Sequence, residues 1–245
     1  MIQPKLLLRC IATVTPEQMP TIRLADAAKH YQEQPHQLAA WNALQQVLTT
    51  KEVEDFAALY RAAPAVKPAA TTNPLKVRWQ SQLDNKSGTG YRECFSSSCA
   101  MLAMHWGKVA NDDAYNAIRN QYGDSTDAQA QLLALRSLGL KANFHTDGTP
   151  ASLEAEIAAG RPVAVGWLHH GPVSGPSGGG HWSVVIGYTA TTWIQNDPNG
   201  EANLAGGGYT TNTKGAGVVY SRKNWNPRWM PGGTGGWYLS VLPAG

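Results

Sequence analysis

The sequence predicts an α+β fold, in which helices come first along the chain and pack on an antiparallel sheet formed by later strands. Apolar residues recur every three to four positions in several segments before residue 160, a spacing typical of amphipathic helices. Short apolar segments bounded by turn residues follow after it. Glycine and tryptophan, at 25 and 9 of 245 residues, are concentrated in this later part.

A segment rich in proline and alanine divides the chain into two predicted units. Residues 64–76 carry three prolines among small residues, a composition that favours an extended linker. Residues 1–63 have helical spacing but offer little core. We therefore predict a small helical N-terminal domain over 1–63 and a larger α+β domain over 77–245.

The larger domain shows helical patterns first and strand patterns second. Glycines mark the ends of three of the helical segments. Predicted helices cover 95–106, 112–122, 127–138 and 151–159. Predicted strands cover 77–80, 163–168, 181–188, 191–196, 217–220 and 236–241. The strands over 181–188 and 191–196 are predicted to form a hairpin.

Composition and charge exclude several classes of protein. Apolar residues make up 42% and charged residues 15% of the chain, which argues against a wholly disordered protein. The net charge is only +3 without a dense basic patch, so no nucleic-acid partner is predicted. No apolar run approaches the roughly 18 residues of a membrane helix, so no membrane insertion is predicted. The three cysteines are an odd number, which excludes a full disulfide framework.

The first residues do not have the pattern of a secretory signal. Lys5 alone would form the basic region, and Arg9 and Cys10 interrupt the apolar stretch after it. We therefore expect the protein to be made in a cytoplasm.

Cys94 lies at the predicted start of the helix over 95–106 and is the candidate nucleophile. Unpaired N–H groups at a helix N-terminus stabilise negative charge, and therefore the thiolate form of a cysteine placed there. Cys99 lies inside the same helix on an apolar run, where a thiol is usually an inert small hydrophobic group. By residue type alone, a plain buried cysteine is the alternative interpretation of Cys94.

A nucleophilic cysteine needs a base, and His181 is the preferred one among seven histidines. It begins a predicted strand directly after the glycines 178–180, which leave room for a close approach of a substrate or another backbone. His105 lies three turns along the helix of Cys94, which is too far for it to act as the base of that cysteine. His169 and His170 precede a loop rich in glycine, proline and serine, and they are interpreted as loop contacts.

Asp197 is the candidate for orienting the imidazole of His181. A hairpin turn near 189–192 places Asp197 about three positions from the residue opposite His181, roughly 10 Å along a strand, a gap that loop curvature can close. A carboxylate there accepts a hydrogen bond from the imidazole and selects its tautomer. The alternative interpretation is a turn-forming aspartate before Pro198.

An oxyanion that forms during attack on a carbonyl needs hydrogen-bond donors. The backbone N–H of Cys94 is one candidate, and the side-chain amide of Gln82, on the segment before the helix, is another. Gln80 competes with Gln82, because residues two apart lie on the same side of a strand. Either glutamine is otherwise a polar residue at a strand end.

A zinc site is the rival chemistry. His169, His170 and His181 together with Asp197 contain enough ligands for zinc. Adjacent histidines point in different directions, however, and neither a His-Glu-x-x-His motif nor paired Cys-x-x-Cys motifs are present. We therefore predict neither a metal ion nor another cofactor.

Several motifs in this order resemble the bacteriocin-processing-like (double-glycine) cysteine peptidases, a papain-like family. They are Ser-Gln-Leu-Asp-Asn at 81–85, Cys94 with Ala-Met at 100–101, Gly-Arg-Pro-Val-Ala-Val at 160–165, His-Trp-Ser-Val-Val-Ile-Gly-Tyr at 181–188 and Asn-Asp-Pro at 196–198. The resemblance implies a papain-like fold with Gln82 as oxyanion donor, Cys94 as nucleophile, His181 as general base and Asp197 as the orienting residue. One departure stands out: the usual Gly-Pro after the nucleophile is Phe95-Ser96 here.

The N-terminal unit has a second resemblance. Residues 24–41 are similar to a short helical module found beside peptidoglycan hydrolases of cyanobacteria and their phages. Joined to a cysteine peptidase, the module implies a phage endolysin or a related cell-wall hydrolase, with bacterial peptidoglycan as its partner and the cell wall or periplasm as its place of action. The N-terminal domain then serves as a wall-binding or accessory module.

The resulting hypothesis is an endopeptidase or amidase that cleaves amide bonds of peptidoglycan through a thioester. The glycine-rich loop 171–180 is expected to line the cleft, with His170, Gly179, Gly180 and Trp182 contacting substrate. A cysteine peptidase that processes a protein or leader peptide is the first alternative. The second is a non-catalytic module that holds a wall or a virion partner.

Overall fold

The computed structural model describes residues 74–243. In this part of the chain it contains five α-helices, eight β-strands and two short 3₁₀ turns, Gln82–Asp84 and Gly90–Arg92. The predicted helical domain over 1–63 and most of the predicted linker lie outside the described residues, so both stay predictions.

The predicted helices and most of the predicted strands are present in the predicted order, and further elements lie between them. The helices are α1 (Cys94–His105), α2 (Asp112–Arg119), α3 (Ala128–Ser137), α4 (Pro150–Ala158) and α5 (Arg222–Trp229). The strands are β1 (Leu140–Gly148), β2 (Val163–Trp167), β3 (His181–Tyr188), β4 (Thr192–Asn196), β5 (Glu201–Ala202), β6 (Tyr209–Thr211), β7 (Val218–Ser221) and β8 (Gly236–Pro243).

The predicted α+β class is confirmed. Six strands form one antiparallel sheet in the order β1-β8-β2-β3-β4-β7, and β5 and β6 form a separate two-stranded ribbon. Successive residues of a strand point to opposite faces, so each face of the sheet can bury its own core. Among the described residues, no helix is long and apolar enough to cross a bilayer.

Two apolar cores lie on the two faces of this sheet. Helices α1, α2 and α3 cover one face, where Met101, Leu135 and Val184 are fully buried. Helices α4 and α5 cover the other, where Val185 and Trp225 are fully buried. Because neighbours on β3 belong to different cores, β3 is central to the whole domain.

The predicted strand over 77–80 is wrong. This segment joins no sheet. It and the residues before it are held by isolated hydrogen bonds instead of a strand ladder. The N–H of Leu75 donates to the carbonyl of Ile186 at 2.8 Å, and the side-chain amide of Asn196 donates to the carbonyl of Val77 at 2.9 Å. The alternating sequence therefore belongs to a segment that contacts the sheet without adding a strand to it.

Four elements were not predicted: the strand β1, the helix α5 and the two short strands β5 and β6. Strand β1 has the period-two pattern that would have indicated it: Leu140 and Ala142 are buried while Lys141 and Asn143 between them are exposed. Helix α5 contains Pro227, which normally argues against a helix. All other predicted elements of the larger domain agree with the observed ones to within three residues at each end.

Candidate active site

Helix α1 begins at Cys94, where the sequence placed its candidate nucleophile. Glu93 is the residue that caps the helix, and Cys94 is the first helical residue. The side chain of Cys94 is partly exposed. The rest of the helix is buried from Phe95 to Ala103. Of the two cysteines in the described part of the chain, Cys94 is therefore the accessible one, while Cys99 is fully buried.

The structure brings Cys94, His181 and Asp197 together. The Nε2 atom of His181 lies 2.8 Å from Oδ1 of Asp197. The side chain of Cys94 acts on the same imidazole and, like Asp197, raises the pKa of His181. Because Nε2 is already engaged by the carboxylate, the ring nitrogen left for the sulfur is Nδ1. A thiol, an imidazole and a carboxylate in this order form a proton relay.

The imidazole of His181 is buried in an electrostatic environment that favours its protonated form. Burial by itself lowers the pKa of His181, but the charges and hydrogen bonds of Asp197 and Cys94 more than offset this effect and raise the pKa from 6.5 to about 10. A buried imidazolium between a carboxylate and a thiolate is the arrangement in which a cysteine is most nucleophilic.

Asp197 is fully buried, and each of its oxygens has a donor. Besides His181, the backbone N–H of Asn199 donates to Oδ1 at 3.0 Å, and the hydroxyl of Tyr220 donates to Oδ2 at 3.0 Å. The indole of Trp79 donates to the backbone carbonyl of Asp197 at 2.7 Å. These bonds hold the carboxylate in one orientation. Sequence analysis treated Tyr220 only as a strand residue, and its contact with Asp197 links positions 23 residues apart.

The expected gap between His181 and Asp197 is closed where β4 ends. The β3–β4 register pairs Val184 with Asn196, and an irregularity between Val185 and Gly187 shifts it by one residue. Directly after Asn196 the chain leaves the sheet, and the N–H of Asp197 donates to the carbonyl of Gly215 at 2.8 Å. The carboxylate thereby turns back over the start of β3.

Aromatic rings surround the imidazole of His181 and exclude water from it. Trp167 meets it edge-on at 5.2 Å, Tyr209 at 5.5 Å, and the ring of His169 lies at 5.5 Å. Burial first, and then the positive charges of His181, His170 and Arg228, lower the pKa of His169 from 6.5 to about 4. His169 is therefore neutral at pH 7 and adds no charge to the site.

Gln82 and Gln80, the two candidate oxyanion donors, have different surroundings. Gln82 is buried, and its Nε2 donates to the carbonyl of Gly90 at 2.9 Å, close to the start of α1. Its backbone N–H donates to Pro198, the neighbour of Asp197, at 2.9 Å. The side chain of Gln80 instead accepts from the N–H of Asp112 at 3.2 Å. Gln82 is thus tied to both sides of the site, and its oxyanion role stays a prediction.

A buried polar network supports the start of α1 and was not predicted. The carboxylate of Glu93 is almost fully buried and accepts hydrogen bonds from Asn85, Ser87 and Thr89 at 2.6, 2.8 and 2.9 Å. Arg119 lies 3.9 Å from the same carboxylate. These contacts anchor the residue before Cys94. The sequence signal was weak, because Arg119 comes from α2, while the other three partners come from the loop before α1.

The predicted substrate-contacting residues lie in two environments. His170 and Gly179 are exposed, and nothing lies within 4 Å of the place where a side chain would start on Gly179 or Gly180. The backbone of His170 pairs with Ser177, so the glycine-rich loop forms a small hairpin. Trp182 is half-buried and stacks on Phe95. Their contacts with substrate stay predictions.

The rival zinc ligands lie near one another but are engaged in other contacts. Within residues 74–243, no three histidine, cysteine, aspartate or glutamate side chains are placed to hold a metal ion. The rings of His169 and His170 lie 3.9 Å apart and stack at a tilt, while His181 and Asp197 bind each other.

The described part of the chain matches one known family over most of its length. Residues 74–227 match the Peptidase_C39 like family. The chain belongs to this family. No curated protein sequence matches it.

Solved structures with a similar fold include three peptidases. A C39-like peptidase from Bacillus anthracis is 16% identical with a TM-score of 0.49, and the alignment covers 70% of this chain and 98% of that one. A double glycine motif protease of an AMS/PCAT transporter, solved with its leader peptide, is 18% identical with a TM-score of 0.44 and coverages of 71% and 96%. The peptidase domain of Streptococcus ComA, a bifunctional ABC transporter, is 17% identical with a TM-score of 0.45 and coverages of 68% and 98%.

This C39-like domain uses the buried Arg228 to hold the loops beside His181. The guanidinium is fully buried and binds only backbone carbonyls. Its five hydrogen bonds, at 2.8 to 3.1 Å, reach the carbonyls of Leu168, His170, Gly171 and Leu204. One side chain thus joins the end of β2 to the segment after β5.

Replacing Arg228 with methionine is expected to lower the free energy of unfolding by at least about 3 kcal/mol, because the buried carbonyl of Leu204 and three partly buried carbonyls lose their donor. Lys223, which is exposed on the same helix, provides the control. Lys223→Met should change the free energy by less than about 0.5 kcal/mol. Urea denaturation at pH 7 measures both, and equal midpoints for the two variants would contradict the role of Arg228.

Proposed function

We propose that this chain is a cysteine hydrolase that cleaves amide bonds in the peptide part of bacterial peptidoglycan. One observation carries the chemistry: the imidazole of His181 contacts both the thiol of Cys94 and the carboxylate of Asp197. Membership of a peptidase family supports the same reaction class.

The first half of the reaction forms a thioester. The sulfur of Cys94 attacks the carbonyl carbon of the amide, and the thiol proton is held by His181. The negative charge that develops on the carbonyl oxygen accepts hydrogen bonds from the backbone N–H of Cys94 and the side-chain amide of Gln82. When the C–N bond breaks, His181 gives its proton to the leaving amine.

The second half releases the acid. A water molecule takes the place of the amine, and His181 removes a proton from it as it attacks the thioester carbon. The C–S bond breaks, and the sulfur of Cys94 leaves as a thiolate beside the imidazolium. Asp197 keeps the ring in the orientation that serves both steps and stabilises its positive charge.

Two features support peptidoglycan as the substrate. Residues 24–41 resemble a module that accompanies peptidoglycan hydrolases, which suggests a phage endolysin or a related lytic enzyme acting at the cell wall. In the described part, Trp237 is 54% exposed on β8, and flat exposed indoles stack well on sugar rings. The space beside Gly179 and Gly180 leaves room for an extended peptide.

Digestion of purified peptidoglycan tests this proposal. We expect the protein to release soluble fragments with new free amino groups, and mass spectrometry of the fragments identifies the bond that is cut. Cys94→Ala serves as the control and should release none. If Cys94 reacts with alkylating reagents as an activated thiol but the protein releases nothing from purified wall, this result would contradict peptidoglycan as the substrate.

The family favours a protein or leader peptide as the second candidate substrate. The same catalytic chemistry would then act on a polypeptide, and incubation with protein and peptide libraries would give Cys94-dependent cleavage where purified wall gives none. A non-catalytic binding module is the third candidate. In that case Cys94 would react with alkylating reagents no faster than an ordinary thiol.

A further inference from the structure

An aromatic stack lies directly beside the contact between Cys94 and His181. Phe95 follows Cys94 at the start of α1, and Trp182 follows His181 at the start of β3. Their rings are 3.7 Å apart and inclined by only 7°, so they stack face to face. Each candidate catalytic residue is therefore followed by one half of the same stack.

The backbone of β2 forms the other side of this stack. Gly166 pairs with Trp182 across the sheet, and the indole lies over it. A Cβ on Gly166 would come within 2.8 Å of Cζ2 of Trp182, closer than real contacts allow. The glycine thus lets the indole lie flat between the sheet and Phe95.

Phe144 closes the stack at one edge. Its ring lies 6.5 Å from that of Phe95 and 5.8 Å from that of Trp182, in edge and tilted arrangements. Phe95 is almost fully buried. The two stacked rings therefore have little freedom to slide, because backbone, helix and a third ring surround them.

We propose that Phe95 and Trp182 are positioning residues, whose stack fixes the distance and orientation between the sulfur of Cys94 and the imidazole of His181. This inference rests on the proposed function, since it assigns these two side chains a purpose in cysteine catalysis. Cys94 belongs to the helical layer and His181 to the sheet, so the contact between them crosses the boundary of the two layers. The adjacent stack crosses the same boundary, one residue further along α1 and one residue further along β3.

The stack explains a departure of this chain from the family pattern. In the peptidases that this sequence resembles, Gly-Pro usually follows the nucleophile, and these two residues act through the backbone dihedral angles that they permit or fix. Phe95-Ser96 instead gives the start of α1 a large flat side chain that binds the sheet, and Ser96 accepts hydrogen bonds from Arg119 and Gln131 at 3.0 and 2.9 Å. Side-chain contacts thereby hold the helix start in place.

Alkylation of Cys94 across pH tests the positioning role without a known substrate. Iodoacetamide labelling at pH 5 to 9, followed by peptide mass analysis, reports each cysteine separately. In the unchanged protein, Cys94 should react at pH 5 far faster than Cys99, whose pKa is raised by burial. If it does not, the nucleophile assignment fails, and this result is distinct from a failure of the stack.

Two substitutions of Trp182 separate stacking from burial. Trp182→Phe keeps a flat ring on Phe95, whereas Trp182→Leu keeps apolar bulk without a flat face. We expect Trp182→Leu to slow labelling of Cys94 at pH 5 by about tenfold or more, while Trp182→Phe stays within about threefold of the unchanged protein.

Val184→Ala is the matched control. Val184 points to the same face of β3 as Trp182, two residues further along, and is fully buried. Its truncation removes apolar volume from the same core but leaves both stacked rings in place, so the labelling profile should not change. Gly166→Ala tests the same idea from the other side, because the added methyl group displaces the indole and should slow labelling at pH 5.

Two results would overturn the proposal. The first is equal labelling of Cys94 at pH 5 in Trp182→Leu and Trp182→Phe, both folded by circular dichroism. The second result concerns the case in which Trp182→Leu does not fold, and it is then measured on Gly166→Ala. An unchanged labelling profile of Gly166→Ala would show that the stack does not set the geometry of Cys94 and His181.

Discussion

Replacing Cys94 with alanine lowers the rate of amide hydrolysis by about 10⁴-fold or more, because no other group in the site can form the thioester. The fold should survive, since Cys94 is partly exposed and an alanine fits the first turn of α1. The measurements are the release of free amino groups from purified peptidoglycan and the clearing of wall suspensions, each followed over at least three orders of magnitude in enzyme concentration.

Cys99→Ala is the control for this experiment. Cys99 lies on the same helix, is fully buried and has a pKa raised by burial, so it takes no part in nucleophilic attack. Its truncation costs some stability but should leave kcat within a factor of about three. Retained hydrolysis in Cys94→Ala, or an equal loss in both variants, would refute Cys94 as the nucleophile.

Replacing Asp197 with alanine lowers kcat by about 10³- to 10⁴-fold, the second large effect. The variant removes the acceptor for Nε2 of His181 and the negative charge that stabilises the imidazolium. It also leaves the hydroxyl of Tyr220 and the N–H of Asn199 without the carboxylate they bind. Steady-state kinetics with a fixed fragment substrate measures the loss.

Two milder variants separate the orienting role of Asp197 from its charge. Asp197→Asn keeps an oxygen that can accept from His181, but it removes the charge, so its kcat should lie between those of the unchanged protein and Asp197→Ala. Tyr220→Phe removes the hydrogen bond to Oδ2 and also the acceptor of the Ala202 N–H, and a loss of about tenfold or less is expected. Unchanged hydrolysis in Asp197→Ala would leave Asp197 with the structural role of a turn residue.

The raised pKa of His181 also predicts how stability depends on pH. The folded protein holds the imidazole proton up to pH about 10, whereas the unfolded chain releases it near 6.5. The stabilisation is therefore fully present below pH 6.5 and is lost as pH rises towards 10. In Asp197→Ala this loss should shrink, because the carboxylate that raises the pKa is gone. Urea denaturation of both proteins between pH 6 and pH 10 measures the difference, and parallel curves would contradict it.

Local sequence signals predicted most of the described fold. The helix that begins at Cys94 ends at a glycine, and the hairpin of β3 and β4 consists of two apolar segments around turn residues. Such signals depend on neighbours within a few positions. The strand over 77–80 failed for the same reason, because local alternation cannot tell whether a sheet edge offers a partner. Helix α5 was missed because the packing of Trp225 and Trp229 in the core outweighs the local cost of Pro227.

The residues of the candidate site could be chosen from the sequence, but their contacts could not. Cys94 and His181 were selected by their places at the starts of a helix and a strand. The turn of Asp197 over β3 depends on its bond to Gly215, and its orientation depends on Tyr220 and Trp79. No local pattern links these positions.

The amino-acid sequence alone determined the α+β class, the order of the elements and the candidate residues Cys94, His181, Asp197 and Gln82, because each of these follows from short-range periodicity, turn chemistry or a family motif. Only the tertiary structure decided that Phe95 stacks on Trp182 and that Arg228 ties the loops together. These contacts join segments dozens of residues apart. Their geometry follows from how the layers pack, which no stretch of sequence encodes by itself.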